Sequence, residues 1–365
     1  MKIAHFASIG VAALVLGGAI CPAVAQDIPA AKGMNDIERA SLMQTIAAAK
    51  AEGALNYSDT IIQPTTNDVL VSAFRSYYGL ANTFTVNYTL LTSGAMITRV
   101  EQELSANRIT FDVAAIGSPT WTFERQKTGA FLNYRSGQYD FYQDAIKAGL
   151  GVDGYFVLNG GYAQIPIWNT EIFDFKGKSY KDALAAVPAG RFCIGDVVQS
   201  ESHLTTYAGL RQALGVDYFK DMARKKPTFV GRSELSAQRI LTGQDMMAFG
   251  GNPSRVHQSN QKGAKLKIFY PEEGFTFLPQ MTFIFAKAPH PNAAKLWIDF
   301  ILSETGQKIL ADKEALISAR AGFQSPIPDI APNFSSLKII KVDWEKMSAQ
   351  ELIKYRDEWV SIFNP

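Results

Sequence analysis

Several short segments carry side chains suited to holding a small polar molecule. Ser58-Asp59-Thr60, Thr92-Ser93-Gly94 and Gly117-Ser118 are rich in hydroxyls and glycine. Hydroxyls donate and accept hydrogen bonds, and glycine lets a ligand approach the backbone closely. Thr92-Ser93-Gly94 opens the segment Ala95–Asn107, where Met96, Ile97, Val100 and Leu104 repeat at helical spacing. A helix N-terminus offers unpaired N–H groups and a partial positive charge, so this segment is expected to seat an anion. The plain alternative is that Ser93 caps its helix. In Gln199-Ser200-Glu201-Ser202-His203 the polar crowding at a strand end suits a cleft wall. There the plain alternative is a cap by Ser200 or Ser202, with Glu201 favoured by the helix dipole. Arg232-Ser233 reads as a cationic clamp, or as a surface arginine beside a capping serine. Trp121 and Phe249 are large enough to stack on a ligand, although such residues are more often core.

Motifs for other chemistry lack their context. Gly149-Leu150-Gly151-Val152-Asp153-Gly154 satisfies a GxGxxG pattern, but strand-like Tyr155–Leu158 follows it where a dinucleotide site needs a helix. Ser335-Ser336-Leu337-Lys338 has acylating-serine spacing without companion motifs, and there is no GxSxG. Once His5 is removed with a leader, His203, His257 and His290 are far apart and unaccompanied by paired cysteines, so no metal site is expected. His290, between two prolines, is expected at the surface. No catalytic residue, enzyme activity or cofactor is expected.

The chain begins as a secretory leader. Lys2 is followed by an apolar stretch, Ile9 to Ile20, and by Ala23-Val24-Ala25 before Gln26, a small-x-small cleavage site. The apolar stretch is too short to span a bilayer. Ile20 precedes Cys21 where lipoprotein processing wants a small residue. Residues 1–25 are therefore read as a cleaved signal peptide and the mature protein as periplasmic. Cys193 then remains alone, flanked by Phe192 and Ile194, and reads as a buried small hydrophobe. Without a disulfide, stability must come from a packed core. With 36 Lys and Arg against 34 Asp and Glu there is no nucleic-acid footprint.

The elements that position these residues alternate. Asp36–Ala51 reads as a helix stopped by Gly53, Ala54–Ser58 as a strand, Asp68–Tyr78 as a helix and Phe84–Leu91 as a strand. Then come the helix after Ser93 and the strand Phe111–Ile116. Such alternation means a mostly parallel, doubly wound sheet, whose ligands sit beyond the carboxyl ends of the strands. After the strand Tyr162–Asn169 the pattern restarts with Phe192–Val198, the helix His203–Leu214, the helix containing Ser236–Leu241, and strands Met246–Phe249 and Leu266–Tyr270. Phe277–Phe285 is apolar, and one long amphipathic helix is expected from near Asn292 to Leu310. The length gives a prior of two domains.

These residues also resemble a family. Ala51-Glu52-Gly53 with Tyr57-Ser58 is similar to the opening of bacterial extracellular solute-binding proteins of the ferric-iron, phosphonate and sugar-phosphate type. The resemblance continues through Ser93-Gly94, Arg99-Val100, Glu103-Leu104, Asp112-Val113, Asn169-Thr170, Tyr270-Pro271-Glu272-Glu273-Gly274, Pro291-Asn292-Ala293-Ala294, Ser303, Gly306-Gln307 and Arg320-x-Gly322. It implies an α/β type II periplasmic-binding-protein fold: two doubly wound lobes joined by two crossing strands, with the ligand between them. Tyr162–Thr170 and Phe277–Phe285 look like the crossings. Lobe 1 is then residues 26–168 and 280–365, and lobe 2 residues 169–279.

The resemblance further implies a monomeric receptor that closes on its solute and presents it to the permease subunits of an ABC importer. The expected solute is a small organic anion: a phosphonate, phosphate ester or carboxylate. The expected ligand-binding set is Ser58, Asp59, Thr60, Thr92, Ser93, Gly94, Ser118, Gln199, Ser200, His203, Arg232, Ser233 and Glu273. Two alternatives are a ferric iron or ferric–anion receptor and a receptor feeding a membrane sensor kinase. Ferric members of the type present adjacent tyrosines late in the chain. Here the only such pair, Tyr77-Tyr78, is early and reads as core plus surface, which argues against direct iron ligation. Asp196-Val197 departs from relatives that place Pro after Asp.

Overall fold

A computed structural model describes residues 28–364. The expected signal peptide, its expected cleavage after Ala25, and Cys21 lie outside the described residues. Within them the strands are, in chain order, β1 (Ala54–Asp59), β2 (Thr85–Leu90), β3 (Val113–Ile116), β4 (Gly151–Val152), β5 (Phe156–Ala163), β6 (Ile165–Asn169), β7 (Phe192–Gly195), β8 (Thr228–Val230), β9 (Met247–Gly251), β10 (Leu266–Ile268) and β11 (Phe277–Ile284). They form two sheets, ordered β2-β1-β3-β11-β5-β4 and β10-β6-β9-β7-β8. In the first, β1 runs parallel to β2 and β3. In the second, β7 runs parallel to β8 and β9. The antiparallel partners, β11 in the first and β6 in the second, belong to the segments that join the sheets.

Local sequence accounts for the element ends. The helix Asp36–Glu52 opens on a capping box between Asn35 and Glu38 and closes on Gly53 at φ 75°. The next helix, Pro64–Tyr78, begins before the expected Asp68, because proline fits the first helical position, where its missing N–H needs no partner. The expected long helix is two, Pro291–Ile301 and Glu304–Glu314. Ser303 caps the second by accepting from the Gly306 N–H. The turn is so tight that a Cβ on Gly306 would lie 2.4 Å from the Phe300 carbonyl oxygen.

Each sheet has its own core. Tyr57, Phe74, Phe283 and Trp297 centre the first, and Phe192, Phe249, Trp168 and Trp359 the second. Cys193 is buried in the second lobe. The expected crossing Tyr162–Thr170 holds the end of β5, in the first sheet, and β6, in the second, with Gln164 between them. Between β10 and β11 the chain returns to the first sheet. A third passage follows near Ile339, which bridges Phe275, and delivers the helix Ala349–Phe363 to the second lobe. There Trp359 and Phe363 pack on Phe229, and Glu358 pairs with Arg211 at 2.7 Å. Assigning all of 280–365 to lobe 1 is corrected accordingly: the apolar face of this last helix completes the second core.

Candidate functional site

The carboxyl ends of β1 and β3 and the crossing segments converge where the lobes meet. Asp59 ends β1 fully buried and accepts from the Tyr57 hydroxyl (2.5 Å), the Ile61 and Ile62 N–H groups (2.6 and 3.0 Å) and Gln280 Nε2 (3.0 Å). Burial lifts its carboxyl to about 6, with the hydrogen bonds from Tyr57, Ile62 and Ile61 opposing and the Glu314 charge adding. Gln280 stands at the β11 bulge, where the register with β5 shifts between Pro279 and Met281. The hydroxyl of Thr60 donates to Gln280 Oε1 at 3.2 Å. Beside it, a Cβ on Gly117 would meet Gln280 Oε1 at 3.4 Å and the Tyr162 hydroxyl at 3.8 Å.

Ser118 is the N-cap of the helix Pro119–Lys127 but makes no side-chain cap bond. It is 2 % exposed, and its Oγ makes no hydrogen bond within 3.5 Å, although it faces the Glu201 carboxylate closely enough to lower that group's pKa. Facing it from the second lobe is the start of the helix Glu201–Leu214, whose N-cap Ser200 also makes no side-chain cap bond. Ser200 Oγ is 3.0 Å from Ser202 Oγ, which accepts from Gln164 Nε2 at 3.2 Å. Burial raises the Glu201 carboxyl, and Ser118 and the charge of Arg356 pull it back. No cation lies within 4.0 Å of Glu201 among the described residues, and Arg356 Nε is buried without a partner. Burial raises the Tyr162 hydroxyl to about 12, with Ser202 opposing and Glu201 adding. The lobes also touch at a rim, where His257 Nε2 is 3.1 Å from the Asp312 carbonyl oxygen.

The structure thus brings Asp59, Thr60, Ser118 and Ser200 toward one junction. Other expected residues serve elsewhere. Ser58 is buried and donates to the Thr89 carbonyl, fastening β1 to β2. Thr92, not Ser93, caps the helix Ser93–Ser105, by accepting from the Ala95 N–H at 3.3 Å. Ser93 and Gly94 follow the edge strand β2, with Gly94 exposed and nothing within 4 Å of its Cβ position. Gln199 donates to Asp196 at 2.6 Å, within a turn whose N–H groups the same carboxylate binds. His203 packs under the helix start against Gly195, where a Cβ would meet its ring at 2.4 Å, and burial lowers its pKa. Arg232 is exposed, 3.9 Å from Glu234, with Ser233 beginning the helix Ser233–Leu241. Glu273 accepts from the Tyr180 and Lys181 N–H groups and so caps the helix Tyr180–Ala186.

His290 is bonded through Nδ1 to Asp112 at 2.8 Å rather than standing free at the surface. Tyr77 and Tyr78 pack together edge to face, with Tyr78 buried. Trp121 and Phe249 are buried in the cores of their lobes. Tyr162, Gln164 and Gln280 were missed. Their signal was faint: Gln164 and Gln280 are single amides inside apolar runs, IPIW on one side and FLP…MTF on the other. Among the described residues, no three or more His, Cys, Asp or Glu side chains group as a metal site. No helix among them is long and apolar enough to cross a membrane.

The family model for bacterial extracellular solute-binding proteins matches residues 69–335. No curated protein matches the chain. Solved structures share its fold at low identity. The substrate-binding protein of an ABC transporter from Agrobacterium tumefaciens superposes with a TM-score of 0.70 at 13% identity, over 85% of this chain and 94% of that one. Iron-bound HitA from Pseudomonas aeruginosa gives 0.67 at 16% identity, over 85% and 99%. AfuA from Actinobacillus pleuropneumoniae, with fructose-6-phosphate bound, gives 0.66 at 22% identity, over 85% and 98%.

Proposed function

Because the chain belongs to the bacterial extracellular solute-binding proteins, we propose that it captures a small solute between its lobes in the periplasm and delivers it to the permease of an ABC importer. The solute is a small organic anion, a phosphonate, phosphate ester or carboxylate, seated where the helices Pro119–Lys127 and Glu201–Leu214 begin. The observation that carries this reading is the buried Ser118 Oγ, with no hydrogen bond inside 3.5 Å, at one uncapped helix N-terminus and facing Glu201 at the start of another. Buried hydroxyls without partners are costly, and helix N-termini favour negative charge. Glu201 adds a condition: a bare oxyanion beside it would be repelled, so the anion also carries a hydroxyl or ammonium donor for that carboxylate. A cationic solute is the second reading, favoured by the absence of any cation within 4.0 Å of Glu201 among the described residues.

Calorimetry on protein stripped of bound solute, against a panel of hydroxylated anions, amino-phosphonates and polyamines, tests both readings. For the solute that binds, Ser118→Ala is expected to weaken affinity about tenfold, the worth of one hydrogen bond of roughly 1–1.5 kcal/mol. Gly94→Asp, at the exposed terminus after β2, is expected to leave affinity unchanged. Equal affinity in wild type and folded Ser118→Ala would remove this junction from the seat. Binding of polyamines alone, abolished by Glu201→Gln, would establish the cationic reading instead.

A further inference from the structure

A cavity of about 670 Å³ lies on a different part of the molecule and shares no wall with the Ser118–Glu201 junction. Its walls are the region of Asp144 to Leu150, Phe277 at the start of β11, the loop Ser318–Gln324, and the segment 333–344 that leads to the last helix. The volume is in the range of small-molecule sites, about 300–1,000 Å³. Much of the lining is aromatic: Phe277, Phe323, Phe334 and Trp344.

One wall residue is electrostatically unfinished. Arg320 is partly buried, and burial holds its guanidinium below the ordinary arginine value. Its Nη1 donates to two neutral acceptors, Gln138 Oε1 at 2.8 Å and the Leu302 carbonyl at 3.2 Å, and its guanidinium carbon lies 3.7 Å from the Phe141 ring centroid. No carboxylate approaches within 4.0 Å among the described residues, the Glu304 charge acting on it only from farther off, whereas most other partly buried arginines of the chain, such as Arg211 and Arg239, are paired. A guanidinium carries five N–H donors in a planar fork that matches a carboxylate. Lys341 lies on the same wall and Asp144, exposed, at the margin, so the lining carries a net positive charge.

We propose that this cavity is a second binding site, taking an apolar molecule with a terminal carboxylate, its carboxylate on Arg320 and its hydrocarbon body among Phe277, Phe334 and Trp344. The site is independent of the solute seat. Decanoate, used below its micellar concentration, is the probe. Calorimetry should show saturable binding of one decanoate per chain, with 1-decanol at least tenfold weaker. Arg320→Gln should weaken decanoate at least tenfold, and Lys313→Gln, an exposed control, should not. Since Arg320 also bonds the Leu302 carbonyl, Phe334→Asp provides a second variant: it leaves Arg320 intact and should abolish binding by placing a charge against the hydrocarbon. Ser118→Ala should bind decanoate as wild type does, which separates this site from the solute reading. Absent or non-saturable binding in wild type, equal affinity for decanol, or undiminished binding in both folded variants would overturn the proposal.

Discussion

At the scale of single residues, Asp59 shows how burial and hydrogen bonding compete. Four donors reach its carboxylate, yet burial leaves the folded pKa at about 6, above the ordinary aspartate value of 3.8. The folded state therefore holds this proton more tightly than the unfolded chain. Its contribution to stability is full below about pH 4 and is lost as pH rises toward 6, by at most roughly 3 kcal/mol for a shift of about two units. Asp299, half-buried and bonded by Ser136 and Tyr134, is raised to about 6 in the same way and adds its own loss over the same interval. Asp59→Asn is expected to remove one of these two slopes: urea denaturation at pH 4 and pH 7 should show a smaller decline in the variant than in wild type. Parallel declines would mean that Asp59 is ionised normally in the folded protein.

Among the elements, the helix ends and the last helix matter most. Glu52 closes the N-terminus of the helix Pro291–Ile301 from a distant part of the chain, accepting from the Asn292 and Ala293 N–H groups at 3.1 and 2.8 Å. Glu52→Ala should cost about 1 kcal/mol, the typical worth of an N-cap, read as a lower denaturation midpoint. The helix Ala349–Phe363 is held more firmly. Trp359 is 2 % exposed and packs against Phe229 and Phe363, with ring centroids 5.2 and 5.0 Å apart. Trp359→Ala is expected to destabilise by about 3–5 kcal/mol, chiefly through the cavity it leaves in the second lobe. A loss under 1 kcal/mol would show that this helix is an appendage and not part of that core.

For the whole molecule, the lobes are linked by three passages of chain and touch at a rim through His257 and Asp312. Contacts made only when the lobes are closed bias a closure equilibrium, and a solute bound between the lobes shifts it further. His257→Ala removes the rim contact without touching the Ser118 junction. Small-angle scattering of solute-free protein should show a larger radius of gyration in the variant. Identical scattering curves would mean that the rim contact does not hold the lobes together.

What the sequence determined by itself is what short-range pattern encodes. The alternation of strand and helix gave two doubly wound units. The end of β1, Gly117-Ser118 and the Ser200–Ser202 segment were legible as polar strand ends, because small hydroxyl residues are conspicuous beside apolar runs. The tertiary structure decided which of those ends face each other. Thr92-Ser93-Gly94 had as good a local signature as Ser118, but β2 is an edge strand and β3 an inner one, a matter of strand order that no local pattern carries. His203 and Glu201 are two residues apart on one helix, yet one turns beneath it onto Gly195 and the other toward the opposite lobe. Glu273 looked like a ligand residue until its partners, about ninety residues earlier in the chain, proved to be the N–H groups of a helix end. The docking of the last helix on the second lobe was equally hidden. An amphipathic face states that it will be buried but not against what, since hydrophobic burial is non-directional and its partner is chosen only when the chain is folded.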